Sequence, residues 1–408
     1  SESIYPSENT KTITMDAAGN ITTDINTAVV TPQAPVAGYT PPESGLAMDR
    51  ISGASSAVPY VEVIDPTKSR DVTYELTFID SLIQGIPVAY AYNLVNLTTG
   101  DTVLANDNKL LSSNGDIFDG MSLSINNNYQ VLDSIRLDTV NSGWNTKNEQ
   151  NLKYTISQFK TTGITGIRYP DDYLFVFSDT FNEQTSDLKS IIGSSSPIKS
   201  KTTNLAIYDI TDRDNPVKIE YGFVDKSGAY QDTLSDFDVI YLTSRDGKNL
   251  SWRVIFQGDS LYRLPTASDT LLLQFHKPLS SKDMFRYTAV STTSNEEEAK
   301  QNINEVKAVP NPYVVSNMYE KPLPSTLTGR GERVINFINL PPYAKIHIYS
   351  SNGSHVATLQ HDGNLQSGTV SWDVRSKEGL DIAAGVYFYV VETQDGSAKK
   401  IGKLAIIK

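Results

Sequence analysis

The chain has 408 residues, with 35 Lys+Arg against 47 Asp+Glu and a formal net charge of −12; that length suits about two to four domains. So acidic a surface repels phosphate backbones and anionic lipid heads, which argues against nucleic-acid binding and electrostatic membrane docking. Cysteine is absent, which excludes disulfides, thiolate nucleophiles, iron–sulfur clusters and Cys-ligated zinc.

Hydrophobic residues make up 39% and charged residues 20%, the balance of a folded chain, and no apolar run approaches the roughly 18 residues of a spanning helix. The sequence opens at Ser1 without the basic and apolar regions of an export signal, which reads as a processed or truncated start. Residues 1–56 carry Pro32, Pro35, Pro41 and Pro42 with Gly38, Gly45 and Gly53, the composition of an extended segment. Within it, Thr12 to Met15 and Ile21 to Ile25 flank Gly19-Asn20 and suit a small hairpin. Such a hairpin is marginal alone in water. It therefore docks on its own chain or a preceding domain, or adds a strand to a neighbouring copy and makes a homo-oligomer.

From residue 57 onward, period-2 alternation recurs. Val72, Tyr74, Leu76 and Phe78 alternate with polar residues, as do Met121, Leu123 and Ile125 ahead of the Asn126–Asn128 turn. Ile219, Tyr221 and Phe223 repeat the pattern, followed by Trp252, Val254 and Phe256, then Leu271, Leu273 and Phe275. Short strands with polar turns between them read as β-sandwiches, here one over 57–150 and a second over 151–293. A short helical spacer is expected over 294–304, with Ser294 and Glu297 at capping-box spacing and Glu296 to Glu298 in its first turn.

Residues 305–408 hold about seven short strands, enough for a compact Ig-like sandwich. They run through Val309-Pro310-Asn311-Pro312-Tyr313, Ile335 to Pro341, Ile346 to Tyr349, the Asn352-Gly353 turn, Trp372-Asp373, Gly385 to Tyr389 and Gly402-Lys403-Leu404. Ile346, Ile348, Val386, Phe388 and Val390 are the expected inward stripe. The fold class is accordingly all-β, with tandem Ig-like or β-sandwich domains behind an extended N-terminal segment. This ordered set of motifs resembles the type A C-terminal sorting domain of the type IX secretion system of Bacteroidetes-related Gram-negative bacteria. It is also similar to the Ig-like domain of the flagellar hook-capping protein. The resemblance implies a partner in the type IX outer-membrane export machinery and an extracellular or outer cell-surface location. It also implies removal by a sortase-like protease, often with attachment of the cargo to lipopolysaccharide. Residues 168–292, through Leu205 to Thr211 and Asn215-Pro216-Val217, are similar to β-domains that precede such sorting domains.

Chemistry-bearing residues are sparse. The four histidines are His276, His347, His355 and His361, with no HExxH and no Gly-x-Ser-x-Gly elbow. His347 falls on the polar side of its strand, His355 and His361 flank a strand as exposed residues, and His276 suits a structural hydrogen bond at a strand end. Asp171/Asp172, Asp236/Asp238 and Asp116/Asp119 are the paired acids that a glycosidase would need, and turn capping accounts for them. Asp209, Asp212 and Asp214, with Asn215, are candidate calcium ligands in a loop, although the Gly and distal Glu of an EF-hand are missing; the alternative is a hydrogen-bonded turn before Pro216. Asn114, Asp116 and Asp119 form a second such loop. Trp144, an aromatic among polar residues, is a candidate sugar contact or a plug for a sandwich end, whereas Trp252 and Trp372 read as core. Gly163 to Gly166 lack phosphate-loop spacing. The expected function is non-enzymatic: a secreted structural or adhesive protein, with self-assembly into a surface layer or filament through residues 1–56 as a subsidiary hypothesis. The alternative is a carbohydrate-binding accessory region of a larger secreted hydrolase.

Overall fold

The computed structural model describes residues 13–15, 21–23, 34–110, 117–194, 196–226, 233–314 and 333–407. Antiparallel sheets dominate it, and the protein is an all-β chain of tandem β-sandwiches. Among the described residues no helix is long and apolar enough to cross a membrane. Two compact units are present, one from Ser44–Ile64 and Asp71–Ala289, the other from Ser1–Glu43, Asp65–Arg70 and Val290–Lys408.

In the first unit, two sheets enclose a core of Tyr74, Leu76, Tyr92, Leu94, Met121, Leu123 and Phe285. One sheet is five-stranded and is centred on Val72–Ile83, which pairs with Ile86–Asn96 on one side and Met284–Ala289 on the other. The facing sheet carries Val58–Val63 against Met121–Asn126. The alternation Val72/Tyr74/Leu76/Phe78 explains the part of the long strand that faces this core, while Leu82 and Ile83 at its far end are exposed. It turns back through Gln84-Gly85, both with positive φ (53° and 83°), the backbone a two-residue hairpin needs and one that glycine adopts readily. Met284–Ala289 also pairs with Asp49–Ser52, so residues far apart in sequence complete this sheet.

The same unit holds a second pair of sheets. Tyr173–Phe177 lies between Leu205–Asp209 and Thr270–Leu273 in a five-stranded sheet. Opposite it, Leu250–Gln257 is flanked by Lys153–Gln158 and Val239–Thr243. Phe175, Phe256, Trp252, Phe275 and Tyr221 fill the space between, and Trp252 is core, as its alternation predicts.

The second unit contains the C-terminal sandwich. Among the described residues its strands are β1 (Lys307–Val309), β2 (Tyr313–Val314), β3 (Ile335–Ile338), β4 (Lys345–Ser350), β5 (His355–Gln360), β6 (Val370–Trp372), β7 (Gly385–Glu392) and β8 (Lys399–Ile407). A three-stranded sheet β1-β3-β6 faces a five-stranded sheet β2-β8-β7-β4-β5, with Trp372, Phe337, Ile346, Ile348 and Leu404 between them. One expectation fails here. Val386, Phe388 and Val390 point away from the core, and Tyr387, Tyr389 and Val391 point into it. The strand is apolar on both faces, so alternation alone cannot choose; pairing Ile346↔Val391 and Ile348↔Tyr389 fixes the choice.

The helix at Glu296–Gln301 is capped by Asn295, whose side-chain oxygen accepts from Glu297 N and Glu298 N at 3.1 and 3.2 Å. Ser294, the expected cap, instead belongs to a strand pairing with Tyr39. The polar run contained several residues able to cap, and the sheet claims the first of them. Residues from Ala34 onward dock on their own chain: Val36 N donates to Leu365 O at 3.1 Å, Ala37 N to Leu340 O at 3.0 Å, and Gly368 N to Ala34 O at 2.8 Å. Gly38, at φ +77°, lies so close to Asn295 that a Cβ there would meet its carbonyl oxygen at 2.3 Å. Ile13–Met15 and Ile21–Thr23 pair as the expected small hairpin; its Gly19-Asn20 turn lies outside the described residues.

Candidate functional site

A cluster of charged residues lies at one end of the Tyr173–Phe177 and Leu205–Asp209 strands. Pairing of Tyr173 with Asp209 places Asp171, Asp172 and Asp209 at the same sheet end. Asp172 is buried, accepts from Phe275 N at 3.0 Å, and forms an ion pair with Lys277 Nζ, which also donates to Phe275 O at 3.1 Å. The backbone is tied as well: Asp172 N donates to Thr211 Oγ1 at 2.8 Å and Ile210 N to Asp172 O at 2.8 Å.

Asp209 is buried too. Its Oδ1 accepts from Thr211 N at 2.8 Å, while its Oδ2 accepts no hydrogen bond and has Arg245 Nη1 3.8 Å away. Asp171 is half-buried among these groups. Burial, helped by the negative charge of Asp209, pushes its carboxyl up to about 7, and Lys277 draws it back only in part. The result is a carboxyl that exchanges a proton near neutrality beside two buried carboxylates. Perturbed acids of this kind mark functional-site candidates, and structural networks produce them too. The sequence showed only the adjacent pair Asp171-Asp172. Asp209, Arg245 and Lys277 come from separate segments, and no local spacing announces their meeting.

The candidate calcium residues are engaged as follows. Asp212 Oδ1 accepts from Asp214 N at 3.1 Å and its Oδ2 from Asn215 Nδ2 at 3.0 Å, which lowers its pKa, chiefly through the Asn215 bond. Asp209 faces Thr211 and Arg245 instead, and Asp214 is exposed. Among the described residues, no three His, Asp or Glu side chains converge as a metal-ligand set. This loop borders a shallow groove lined by Leu174, Val176, Tyr208, Ile210, Arg213 and Pro216. Trp144 donates its indole N–H to Leu152 O at 2.8 Å and stacks on Phe177 with centroids 5.8 Å apart, so one face of the ring is used by the sandwich itself.

Asp236 and Asp238 accept from backbone amides, and Asp119 accepts from a side chain. Asp238 accepts from Ser235 N at 2.8 Å and Lys226 N at 2.9 Å, and Asp236 from Gly258 N at 2.7 Å. Asp119 accepts from the Tyr74 hydroxyl at 2.6 Å; Asn114 and Asp116 lie outside the described residues. His276 stacks on Tyr129 at 3.9 Å and shares a 3.1 Å hydrogen bond with Ser56 Oγ. His361, expected to be exposed, is buried: its Nε2 meets Ser367 O at 2.6 Å and its Nδ1 accepts from Gly363 N at 2.9 Å. Two backbone partners satisfy both ring nitrogens, which makes burial affordable.

In the C-terminal sandwich, Asn311 of the Pro-Asn-Pro motif reaches the last strand. Its Nδ2 donates to Lys403 O at 2.8 Å and its Oδ1 accepts from Ala405 N at 3.1 Å. Beside it, Tyr313 and Val314 pair in parallel with Ile406 and Ile407.

The architecture defines an all-β, tandem-sandwich class of protein. No family model and no curated protein matches the chain. Among solved structures it is similar to PorZ, an essential bacterial surface component of the type-IX secretion system of Porphyromonas gingivalis. The identity is 11% and the TM-score 0.21, over 79% of this chain and 43% of PorZ. It is also similar to dimeric latent PorU from Porphyromonas gingivalis, at 11% identity and a TM-score of 0.18, over 87% of this chain and 32% of that one. A third is the BSP domain of a biofilm-associated protein, at 8% identity and a TM-score of 0.17, over 93% of this chain and 84% of that one. The chain thus spans less than half the length of the first two.

Proposed function

We propose that the chain is a secreted or cell-surface structural protein with an adhesive task, carried out of a Gram-negative cell by a type IX-like route, with residues 305–408 as the export address. The observation that carries this reading is the Asn311 bridge. Asn311 of the first motif of the sorting-like set, Pro310-Asn311-Pro312, donates to Lys403 O within the last motif, Gly402-Lys403-Leu404, and accepts from Ala405 N one residue beyond it. Motifs about ninety residues apart that meet in one place behave as parts of one device rather than as chance matches. The remaining sandwiches supply cohesive β-structure, and the acidic surface favours solubility outside the cell.

The test uses a bacterium that possesses a type IX system. Residues 305–408 fused behind a periplasmically targeted fluorescent reporter are expected to bring the reporter to the cell surface, where added protease removes it. A reporter that stays protected inside, or full-length protein that reaches the exterior equally well without residues 305–408, refutes the reading.

A further inference from the structure

The β4–β5 hairpin of the C-terminal sandwich contains an irregularity with a chemical outcome. From Lys345↔Gln360 to Ile348↔Ala357 the strands pair residue for residue; then the register shifts and Tyr349 faces His355. Without that shift His355 would stand opposite Ser350, on the face that Ile346 and Ile348 turn to the core. Val356 and Ala357 are both buried, so the bulge absorbs one residue and turns His355 outward, beside Tyr349 and His347.

There the two imidazoles, with centroids 6.3 Å apart, converge on one hydroxyl. His347 Nδ1 lies 3.0 Å from Thr358 Oγ1, and His355 Nε2 lies 2.8 Å from the same atom. Behind His347, its Nε2 faces Glu392 Oε1 at 3.4 Å, and Lys399 Nζ holds the other carboxylate oxygen at 3.0 Å. A carboxylate on Nε2 keeps the ring proton there and leaves the Nδ1 lone pair aimed at the shared point. Two imidazole nitrogens on adjacent strands, one of them backed by a carboxylate, are a donor set suited to borderline divalent cations.

We infer that His347 Nδ1 and His355 Nε2 form a surface site for a borderline divalent cation such as zinc, nickel or copper(II), with Glu392 orienting His347 and solvent completing the coordination. The cation takes the point that the Thr358 hydroxyl now bridges, and this hydroxyl rotates aside. Because β5 is the edge of its sheet, the bound ion clips that edge strand to its neighbour. The negative charge of the whole chain, −12, favours arrival of the cation. The site is independent of the export reading.

Full-length protein, stripped with chelator and exchanged into chelator-free buffer, is titrated with zinc chloride by calorimetry and with copper(II) chloride by electron paramagnetic resonance. The wild type is expected to show a saturable site with nitrogen couplings from two imidazoles. His347→Ala and His355→Ala each abolish it, Glu392→Gln weakens it about tenfold, and Thr358→Ala retains it. Circular dichroism of every variant separates loss of the site from loss of the fold. Saturable binding that survives both histidine variants, or none in the folded wild-type chain, overturns the assignment.

Discussion

Asp171→Asn removes a carboxyl whose ionisation the fold opposes. In the folded chain burial and the charge of Asp209 push this group up to about 7, against 3.8 for the free side chain. At about 1.4 kcal/mol per pH unit, that interval sets a ceiling of about 4 kcal/mol on the cost of holding Asp171 ionised. Relaxation and water entry at a half-buried site lower the expected figure to about 2 kcal/mol. The sign follows from which state binds the extra proton. The folded value is the higher one, so the stabilising contribution of the protonated group is complete below pH 3.8 and is lost as pH rises through about 7. Asparagine has no such proton to lose. The stability difference between Asp171→Asn and wild type should therefore grow with pH, favouring the variant by about 2 kcal/mol above neutrality and by little in acid. Urea unfolding followed by tryptophan fluorescence, at one pH below and one above the transition, reads this difference directly. A variant whose advantage is the same at both pH values, or which is less stable than wild type at the higher one, refutes the account of the cluster.

Two further substitutions test the packing. Leu404→Ala, at a site 1% exposed, should cost about 2 to 5 kcal/mol, while Ile401→Ala on the same strand, 72% exposed, should change stability by less than about 0.5 kcal/mol; equal effects in thermal unfolding would contradict the inward and outward faces of β8. Gly38→Ala combines φ +77° with a 2.3 Å approach to the Asn295 carbonyl and should destabilise the unit around the helix by about 2 kcal/mol or more, measured by urea unfolding.

Much of the architecture was legible because alternation and burial coincide. Tyr74 and Leu76 have polar neighbours on both sides in sequence, Phe78 has Thr77 before it, and one core takes all three. Legibility ended where a strand is apolar on both faces. In Gly385–Glu392 only the partner strand selects Tyr389 and Val391 over Phe388 and Val390. It ended also where a single extra residue decides an orientation: nothing in the letters around His355 announces the bulge that brings it beside His347. The acid cluster was half visible. Asp171 and Asp172 stood out as a pair, but the more distant groups that act on the Asp171 carboxyl, Asp209, Lys277 and Arg245, arrive from separate segments, and non-local pairing has no spacing rule.

Met284–Ala289 takes its place between Asp49–Ser52 and Val72–Ile83, so a chain emerging from the ribosome has made every intervening strand before this slot can be filled. Until then the long strand offers an open backbone ladder, with Tyr74, Leu76 and Phe78 beside it. Such an edge invites a stranger to pair. Any shortened version ending ahead of Met284 keeps that gap for good, and clumping, rather than a tidy half-protein, is its fate.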